Sequence, residues 1–400
     1  MKIIALLESS ITSGGGFNQA LNAILQMKRI CENRFEFEVF TTIKENIPIL
    51  WELGVTADVL SISFLEMQLS KFVAMTTWQK IKVRLGLSPM LTFEKKLIHN
   101  NADLIYFVAS SARSAALQKL NYVTTVWDLC HRDTPEFPEV REYNYFHSRE
   151  TIYKKVLGPA VIVLTDSSTS AENISRRYGV DQERLLSMPF APAPFLSDVY
   201  AAGTHDVLAK YRLDCGYFFY PSQFWSHKNH IRILEALLIL RQEDWHPIMV
   251  FVGGDMGNRR NVERFIARND ISGQVKILGF VPAEDMRGLY SGCRAVVMPT
   301  YFGPTNLPPL EAWMIGRPLI YSAHLREQAG DAAILFDPDD ANDLAMALKT
   351  SMDDRLCAEL VEKGRKRLQE IEFQRNAAEA ELLARLMKFE KRSRCWGAGI

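Results

Sequence analysis

The sequence has no excess of charge of either sign, because 47 lysines and arginines balance 47 aspartates and glutamates. Without a net positive field, nothing draws the chain toward nucleic acid, and we expect no nucleic-acid partner. Long apolar runs are also missing, since no uninterrupted stretch approaches the roughly 20 residues that a membrane-spanning helix needs. Any contact with a membrane must therefore come from a local surface patch.

Cysteine is scarce and scattered, with six residues in a chain of 400 and no CxxC pair. This spacing argues against both a zinc site and a disulfide framework, and it indicates a reducing compartment. The apolar stretch 1–7 is too short for a signal peptide and runs into a glycine turn. We therefore expect a cytoplasmic protein with no bound metal.

The glycine spacing of a dinucleotide site is absent as well. The apolar run 2–7 leads to Gly14-Gly15-Gly16 in place of GxGxxG, and no acidic residue ends a second strand about 20 residues later. These absences exclude a dehydrogenase of the usual kind. Gly15 and Gly16 remain candidate phosphate-binding residues, because glycine before a helix allows close approach of the backbone.

Short apolar runs alternate with helical patterns along the chain, which predicts doubly wound α/β domains. Three prolines within 188–194 interrupt this alternation and indicate a joint between two domains. We therefore predict an N-terminal domain over 1–190, a C-terminal domain over 196–372, and a last helix over 373–400 that returns to the N-terminal domain. Ligands of such sheets bind at the carboxyl ends of the strands, so both domains should face a cleft. The predicted strands are 2–7, 36–40, 104–108, 123–127, 161–164, 217–220, 248–252, 275–278, 295–298 and 319–321.

The segment 299–312 joins one predicted strand to a helix predicted over 310–315, and it is the most informative part of the sequence. A loop in this position offers free backbone N–H groups, and the helix N-terminus favours an anion. Glu311 lies near that loop, where its carboxylate can accept hydrogen bonds from ribose or sugar hydroxyls. The alternative is a carboxylate that only complements the helix dipole on a proline-stiffened turn.

This segment resembles the signature Glu-Gly-Phe-Gly-Leu-Pro-x-Leu-Glu-Ala of the retaining glycosyltransferases of family 4, which have the GT-B fold of two Rossmann-like domains. Leu307, Pro308, Leu310, Glu311 and Ala312 match the signature. The resemblance implies that Glu311 contacts the nucleotide ribose and that the loop holds the sugar and distal phosphate.

The loop also departs from the signature. Gly303 stands where the family has its first glutamate, and Pro304-Thr305-Asn306 replaces Gly-Phe-Gly. A Phe-Gly-Pro-Thr-Asn loop resembles that of a bacterial subgroup that acts in polysaccharide and O-antigen assembly. The role of the missing glutamate would then either pass to Thr305, Asn306 and backbone amides, with Leu307 beside them, or be absent.

A second match lies at 220–230, where a predicted strand is followed by a loop and a helix start. A lysine at a helix start is disfavoured by the dipole unless an anion binds there, and Lys228 occupies that position. The family carries an arginine and a lysine that grip the diphosphate; Lys228 matches the lysine, and Gln223 replaces the arginine. The resemblance therefore implies that Lys228 stabilises the leaving diphosphate without a metal. The second positive charge falls to either His227 or Arg326.

Two further places resemble the family more weakly. The backbone at Gly279 and Val281 corresponds to the edge where the family binds the donor base, although these glycines can equally be plain turn residues. In the N-terminal half, Asp128 and His131 match the pattern of the bacterial subgroup, and they are candidates for catalysis. Asp128 either orients an acceptor hydroxyl or braces Arg132, and a lone histidine is more often a structural residue.

The implied reaction transfers a sugar from a nucleoside-diphosphate sugar to a hydroxyl of a glycan or a lipid-linked glycan, with retention of configuration. The expected donor is a GDP-sugar of mannose type, bound as a substrate, and no further cofactor is expected. The basic, apolar stretch 78–96 either contacts the inner face of the membrane or, as we favour, forms a solvated helix face. The competing functions are a sugar-nucleotide 2-epimerase and a non-catalytic GT-B partner subunit.

Overall fold

The computed structural model describes residues 1–10, 15–63, 65–66, 68, 90–196, 203–303 and 305–396. The chain folds into two compact units. The first unit contains Met1–Pro135, Val140–Pro189 and Gln374–Ile400, and the second contains Glu136–Glu139 and Phe190–Phe373. The chain therefore passes between the units four times, and neither unit is a continuous stretch of sequence.

The first unit is built on a parallel sheet that has seven strands among the described residues, in the order β3-β2-β1-β4-β5-β6-β7. The interior strand β1 is buried from Ile3 to Leu7, because helices cover both faces of a parallel sheet. The strands are β1 (Lys2–Leu7), β2 (Glu36–Thr41), β3 (Ala57–Val59), β4 (Leu104–Phe107), β5 (Asn121–Val126), β6 (Ile162–Thr165) and β7 (Leu185–Ser187).

The second unit is built on a parallel sheet of six strands, again among the described residues, in the order β10-β9-β8-β11-β12-β13. The strand order reverses between β8 and β11, so the loops that follow these two strands lie side by side at their carboxyl ends. The strands are β8 (Tyr217–Pro221), β9 (Met249–Val252), β10 (Val275–Gly279), β11 (Cys293–Met298), β12 (Leu319–Ser322) and β13 (Ile334–Phe336).

Helices connect these strands and have one apolar face toward their sheet. In the first helix, Phe17, Leu21 and Ile24 are buried at helical spacing, and Lys28 and Arg29 complement the dipole of its last turn. The helices of the described residues are α1 (Gly15–Cys31), α2 (Ile47–Glu52), α3 (Thr92–His99), α4 (Cys130–Asp133), α5 (Pro138–Arg141), α6 (Tyr145–Val156), α7 (Ser168–Tyr178), α8 (Thr204–Tyr211), α9 (His230–Gln242), α10 (Arg259–Arg268), α11 (Ala283–Gly292), α12 (Leu307–Ile315), α13 (Arg326–Ala329), α14 (Ala341–Thr350) and α15 (Asp354–Ser393).

The last helix, α15, is 40 residues long and begins well before residue 373, where the sequence predicts its start. Its second half lies in the first unit. There Glu379 pairs with Arg29 at 2.6 Å, and Glu390 accepts a hydrogen bond from the N-terminal ammonium of Met1 at 3.4 Å. Polar contacts of this kind hold the C-terminal segment against the strands and helices of the first unit.

Candidate functional site

Lys228 lies in the loop that follows β8, at the end of a short 3-10 turn over Ser226–Lys228. Asn229 then takes a left-handed conformation, with φ of 54°, and α9 begins at His230. Two hydrogen bonds fix this turn: the Tyr220 hydroxyl donates to the Lys228 carbonyl at 2.8 Å, and the Tyr301 N–H donates to the His227 carbonyl at 2.9 Å. The turn is thus held by its own strand and by the loop after β11.

Asn306 ends the loop after β11 and lies directly before α12. Its N–H donates to Gln328 Oε1 at 2.8 Å, its carbonyl accepts from Gln328 Nε2 at 2.7 Å, and its Nδ2 donates to the Tyr321 hydroxyl at 2.9 Å. These bonds leave the side-chain oxygen oriented toward Lys228, whose ammonium donates to Asn306 Oδ1 at 3.5 Å. The structure thus brings together Lys228 and Asn306, which the sequence assigns to one ligand. It also adds Tyr321 and Gln328, which the sequence analysis missed.

Helix α12 begins at Leu307, three residues before the predicted start near Leu310. Pro308 and Pro309 are tolerated there because the first turn of a helix does not use its N–H groups for internal hydrogen bonds. Leu307 is buried, so the first turn of the helix is packed into the second unit while its N-terminus meets the loop. Thr305 lies in that loop, half-buried, two residues ahead of the helix.

Glu311 is buried in the second turn of α12 and accepts a hydrogen bond from the hydroxyl of Tyr290 on α11. Burial raises the pKa of Glu311 to about 7, while hydrogen bonds from Tyr290 and from the Ala193 N–H act in the opposite direction. The carboxyl is therefore divided between its two protonation states at neutral pH. Tyr290 was not identified from the sequence, since nothing in the pattern of α11 marks it as a partner of Glu311.

Gly303 has a φ of 94°, a conformation that residues with a side chain rarely adopt. A Cβ at this position would come within 3.0 Å of the Thr305 carbonyl oxygen. A glutamate at position 303, as in the family signature, does not fit this loop without strain. The conformation of this loop therefore favours glycine over the signature's glutamate at position 303. Pro304 lies outside the described residues.

The remaining residues predicted to bind the donor in the second unit lie on the loops after β8 and β10. Gln223 accepts a hydrogen bond from Trp225 Nε1 at 3.2 Å. Gly279 has a φ of 71° and ends β10, and Val281 two residues later is buried. The side chain between them, Phe280, is 68% exposed. The backbone at Gly279 and Val281 thus lies at a strand end, as a base-binding edge requires.

In the first unit, Gly15 and Gly16 form the start of α1, and a Cβ on either would meet no atom within 4 Å. The surface beside this first turn is therefore open among the described residues, although Gly14 lies outside them. Of the basic stretch 78–96, only residues 90–96 are described.

The predicted alternative for Asp128, a brace to Arg132, is wrong. Asp128 Oδ1 pairs instead with Arg149 Nη2 at 2.8 Å and accepts the Cys130 N–H at 2.9 Å. Burial alone would raise the pKa of Asp128, but the charge of Arg149 holds it below its usual value. Arg132 makes two bonds of 2.7 Å to Glu150.

His131 is completely buried in the first unit. Its Nε2 lies 2.9 Å from Glu150 Oε1 and 3.3 Å from the Tyr178 hydroxyl. Burial lowers the pKa of the ring, although Glu150 acts against this effect. An enclosed, neutral imidazole held by a carboxylate favours the structural interpretation of His131, and the predicted catalytic role has no support in this geometry.

The segment 136–139 belongs to the second unit, although the residues on either side of it belong to the first. Glu139 Oε1 accepts the backbone N–H of His227 at 2.9 Å and also contacts Nδ1 of the same histidine. Burial would raise the pKa of Glu139, but the bonds from His227 keep it below its usual value. Phe137 packs edge-on against Phe302, with ring centroids 5.1 Å apart. The sequence analysis did not identify either contact.

Among the described residues, no three His, Cys, Asp or Glu side chains are grouped so that they could hold a metal ion. No helix in the described part of the chain is long and apolar enough to cross a membrane.

Part of the second unit resembles a known protein family. Residues 216–354 match the family model described as glycosyl transferases group 1. The glycosyltransferase from Rickettsia africae ESF-5 superposes with a TM-score of 0.69, at 14% identity, over 96% of this chain and 97% of that one. Anabaena HepE, solved in complex with UDP and glucose, gives 0.71 at 15% identity, over 97% and 99% of the two chains. These likenesses confirm the predicted fold class, two Rossmann-like domains of the GT-B glycosyltransferase fold.

Among characterised relatives, the chain is similar to O-antigen chain mannosyltransferase B from Escherichia coli. The two are 28% identical over 236 residues, which is 58% of this chain and 61% of that relative. The similarity therefore spans less than two thirds of the relative's own length.

Proposed function

We propose that this protein is a glycosyltransferase that moves a sugar from a nucleoside-diphosphate sugar to a hydroxyl of a glycan or a lipid-linked glycan. The observation that carries the proposal is the contact between Lys228 and Asn306, which joins the loops after β8 and β11 at the reversal of strand order. This is where ligands of open α/β sheets bind. The contact lies within the segment that resembles group 1 glycosyl transferases.

In the proposed reaction, the bond between the anomeric carbon and the diphosphate oxygen breaks, and the acceptor hydroxyl oxygen forms the new bond. The diphosphate leaves with the electron pair of the broken bond, and the proton of the acceptor hydroxyl passes to a phosphate oxygen of this leaving group. The main catalytic demand is therefore stabilisation of negative charge on the leaving group. Lys228 supplies a positive charge, and the N-terminus of α12 supplies backbone N–H groups and a favourable dipole.

The proposal assigns the other predicted residues of the second unit to parts of the same donor. Glu311 would receive the ribose hydroxyls, Gly279 and Val281 the base, and Thr305, Asn306 and Leu307 the sugar and distal phosphate. Gln223 is uncharged, so Lys228 carries more of the electrostatic work. In the first unit, the proposal retains Gly15 and Gly16 as donor-binding residues and Asp128, which pairs with Arg149, as an acceptor-side carboxylate.

The proposal includes a mannose-like donor sugar on GDP and retention of configuration. The name of the E. coli relative supports mannose, and the family resemblance supports retention. Scattered cysteines support a cytoplasmic location, where the enzyme would act at the inner face of the membrane if its acceptor is lipid-linked.

The first test is thermal-shift binding of GDP, UDP, ADP and dTDP without added metal. Selective stabilisation by GDP is the expected result, because a ligand that binds only the folded state raises its stability. Stabilisation by none of the four would contradict the donor site and favour a non-catalytic partner.

Lys228→Ala should weaken GDP binding and so reduce the shift, and it should lower sugar transfer by at least about 100-fold, the scale of losing a charge-stabilising group at the leaving phosphate. Lys366→Ala is the matched control, since Lys366 is an exposed lysine of the second unit. Unchanged turnover in Lys228→Ala, with an unchanged circular-dichroism spectrum, would refute the phosphate assignment.

A further inference from the structure

The turn that carries Lys228 is held by a carboxylate that lies 88 residues away in the sequence. Glu139 Oε1 accepts the backbone N–H of His227, the residue directly before Lys228, at 2.9 Å. The same oxygen also bonds Nδ1 of the His227 ring, so one carboxylate oxygen holds both the backbone and the side chain of His227. Both side chains are about nine-tenths buried, at 10% exposure each. Hydrogen bonds to an ionised, buried acceptor are among the stronger ones in proteins.

The same contact is extended by aromatic rings. The ring of His227 stacks on Phe302, with centroids 3.8 Å apart and planes 7° from parallel. The ring of Phe137 contacts two further rings, with its centroid 5.1 Å from that of Phe302 and 5.4 Å from that of Tyr301. Since Tyr301 and Phe302 belong to the loop after β11, the segment 136–139 binds both loops of the proposed diphosphate site at once.

We propose that Glu139 is a positioning residue for Lys228, which fixes the turn 226–228 against the loop 300–303 so that the ammonium lies where a diphosphate binds. This inference rests on the proposed function and extends it to a residue that does not itself touch the donor. A long, flexible lysine is placed chiefly by its backbone, and Glu139 adds a charged acceptor to the hydrogen bonds from Tyr220 and Tyr301 that hold this turn. Misplacement by about an ångström is enough to weaken such a site substantially.

The test is a double-mutant cycle on GDP binding, measured by calorimetry with the full chain. Glu139→Ala should weaken GDP binding by about tenfold, the low end of the range for a hydrogen bond to a charged group. Glu139→Gln should restore most of the affinity, because the amide oxygen can accept the same two N–H groups. In the Lys228→Ala background, Glu139→Ala should cause no further loss.

The matched control is Glu136→Ala, which removes an exposed carboxylate from the same four-residue segment and should leave GDP affinity unchanged. Phe137→Leu gives a second perturbation, for which we expect several-fold weaker binding that again disappears in the Lys228→Ala background. It keeps the inference testable if Glu139→Ala does not fold. In turnover assays, the donor KM should rise in Glu139→Ala while the acceptor KM stays constant.

Native affinity in Glu139→Ala would overturn the inference. An equal loss in the Lys228→Ala background would also overturn it, since Glu139 would then act independently of the lysine. Native GDP affinity in Lys228→Ala alone has a different meaning, because it would refute the phosphate site itself and thereby remove the proposed function.

Discussion

Binding of the nucleotide should depend on pH through Glu311. Burial gives this carboxyl a pKa of about 7 in the free protein. If ribose hydroxyls donate to it in the complex, only the ionised form binds well. The ionised fraction of such a group falls from about 0.9 at pH 8 to about 0.1 at pH 6. The affinity for GDP should therefore fall about tenfold over this range, or about 1.4 kcal/mol.

The assay is calorimetric titration of GDP at pH 6, 7 and 8 for the native chain and Glu311→Gln. The variant is necessary because the terminal phosphate of GDP also gains a proton near pH 6. This protonation affects binding to the native chain and to Glu311→Gln equally. The quantity of interest is the ratio of the two dissociation constants. We expect native binding to improve relative to the variant by about tenfold from pH 6 to pH 8. A ratio that stays constant would refute the assignment of Glu311 to the ribose.

Two further variants test the buried histidine and the glycine loop. Burial lowers the pKa of His230 to about 3, below the usual 6.5, so the folded state binds fewer protons than the unfolded state between these values. The free energy of unfolding, measured by urea denaturation, should therefore fall by about 2 kcal/mol from pH 7 to pH 5, and His230→Phe should remove this loss. An identical dependence of the unfolding free energy on pH in the variant would contradict the argument. Gly303→Glu restores the family's glutamate at a φ of 94° and should lower stability by about 1–3 kcal/mol without raising turnover. A variant with native melting temperature and higher activity would show that the loop adapts to the side chain.

The strands were predictable where burial leaves an unbroken apolar run, as in Ile3–Leu7. The strands that the sequence analysis missed, β3, β7 and β13, are three residues each and lie at sheet edges. In each of them part of the surface remains accessible, so no continuous apolar signal distinguishes them from loops. The start of α12 was placed late for a related reason, because two prolines usually indicate a loop and here occupy a first helical turn.

The candidate site likewise contains residues that could be predicted from the sequence and residues that could not. Lys228 and Asn306 each follow a predicted strand, and the family resemblance assigned both to one donor, so they were expected near one another. The partners Tyr290, Gln328 and Glu139 belong to elements whose relative placement depends on the packed fold. The brace predicted for Asp128 was wrong because it assumed a neighbour in sequence. The actual partner, Arg149, lies in α6, 21 residues further along the chain.

The four chain crossings between the units have a consequence for exchanging parts with relatives. A chimera that replaces only residues 190–373 would combine a new 300–303 loop with the parental segment 136–139. Glu139 and Phe137 would then contact the relative's residues at positions 227 and 302. The second unit is therefore made of two separate segments of the chain. A chimera that transfers donor preference should carry residues 136–139 together with residues 190–373.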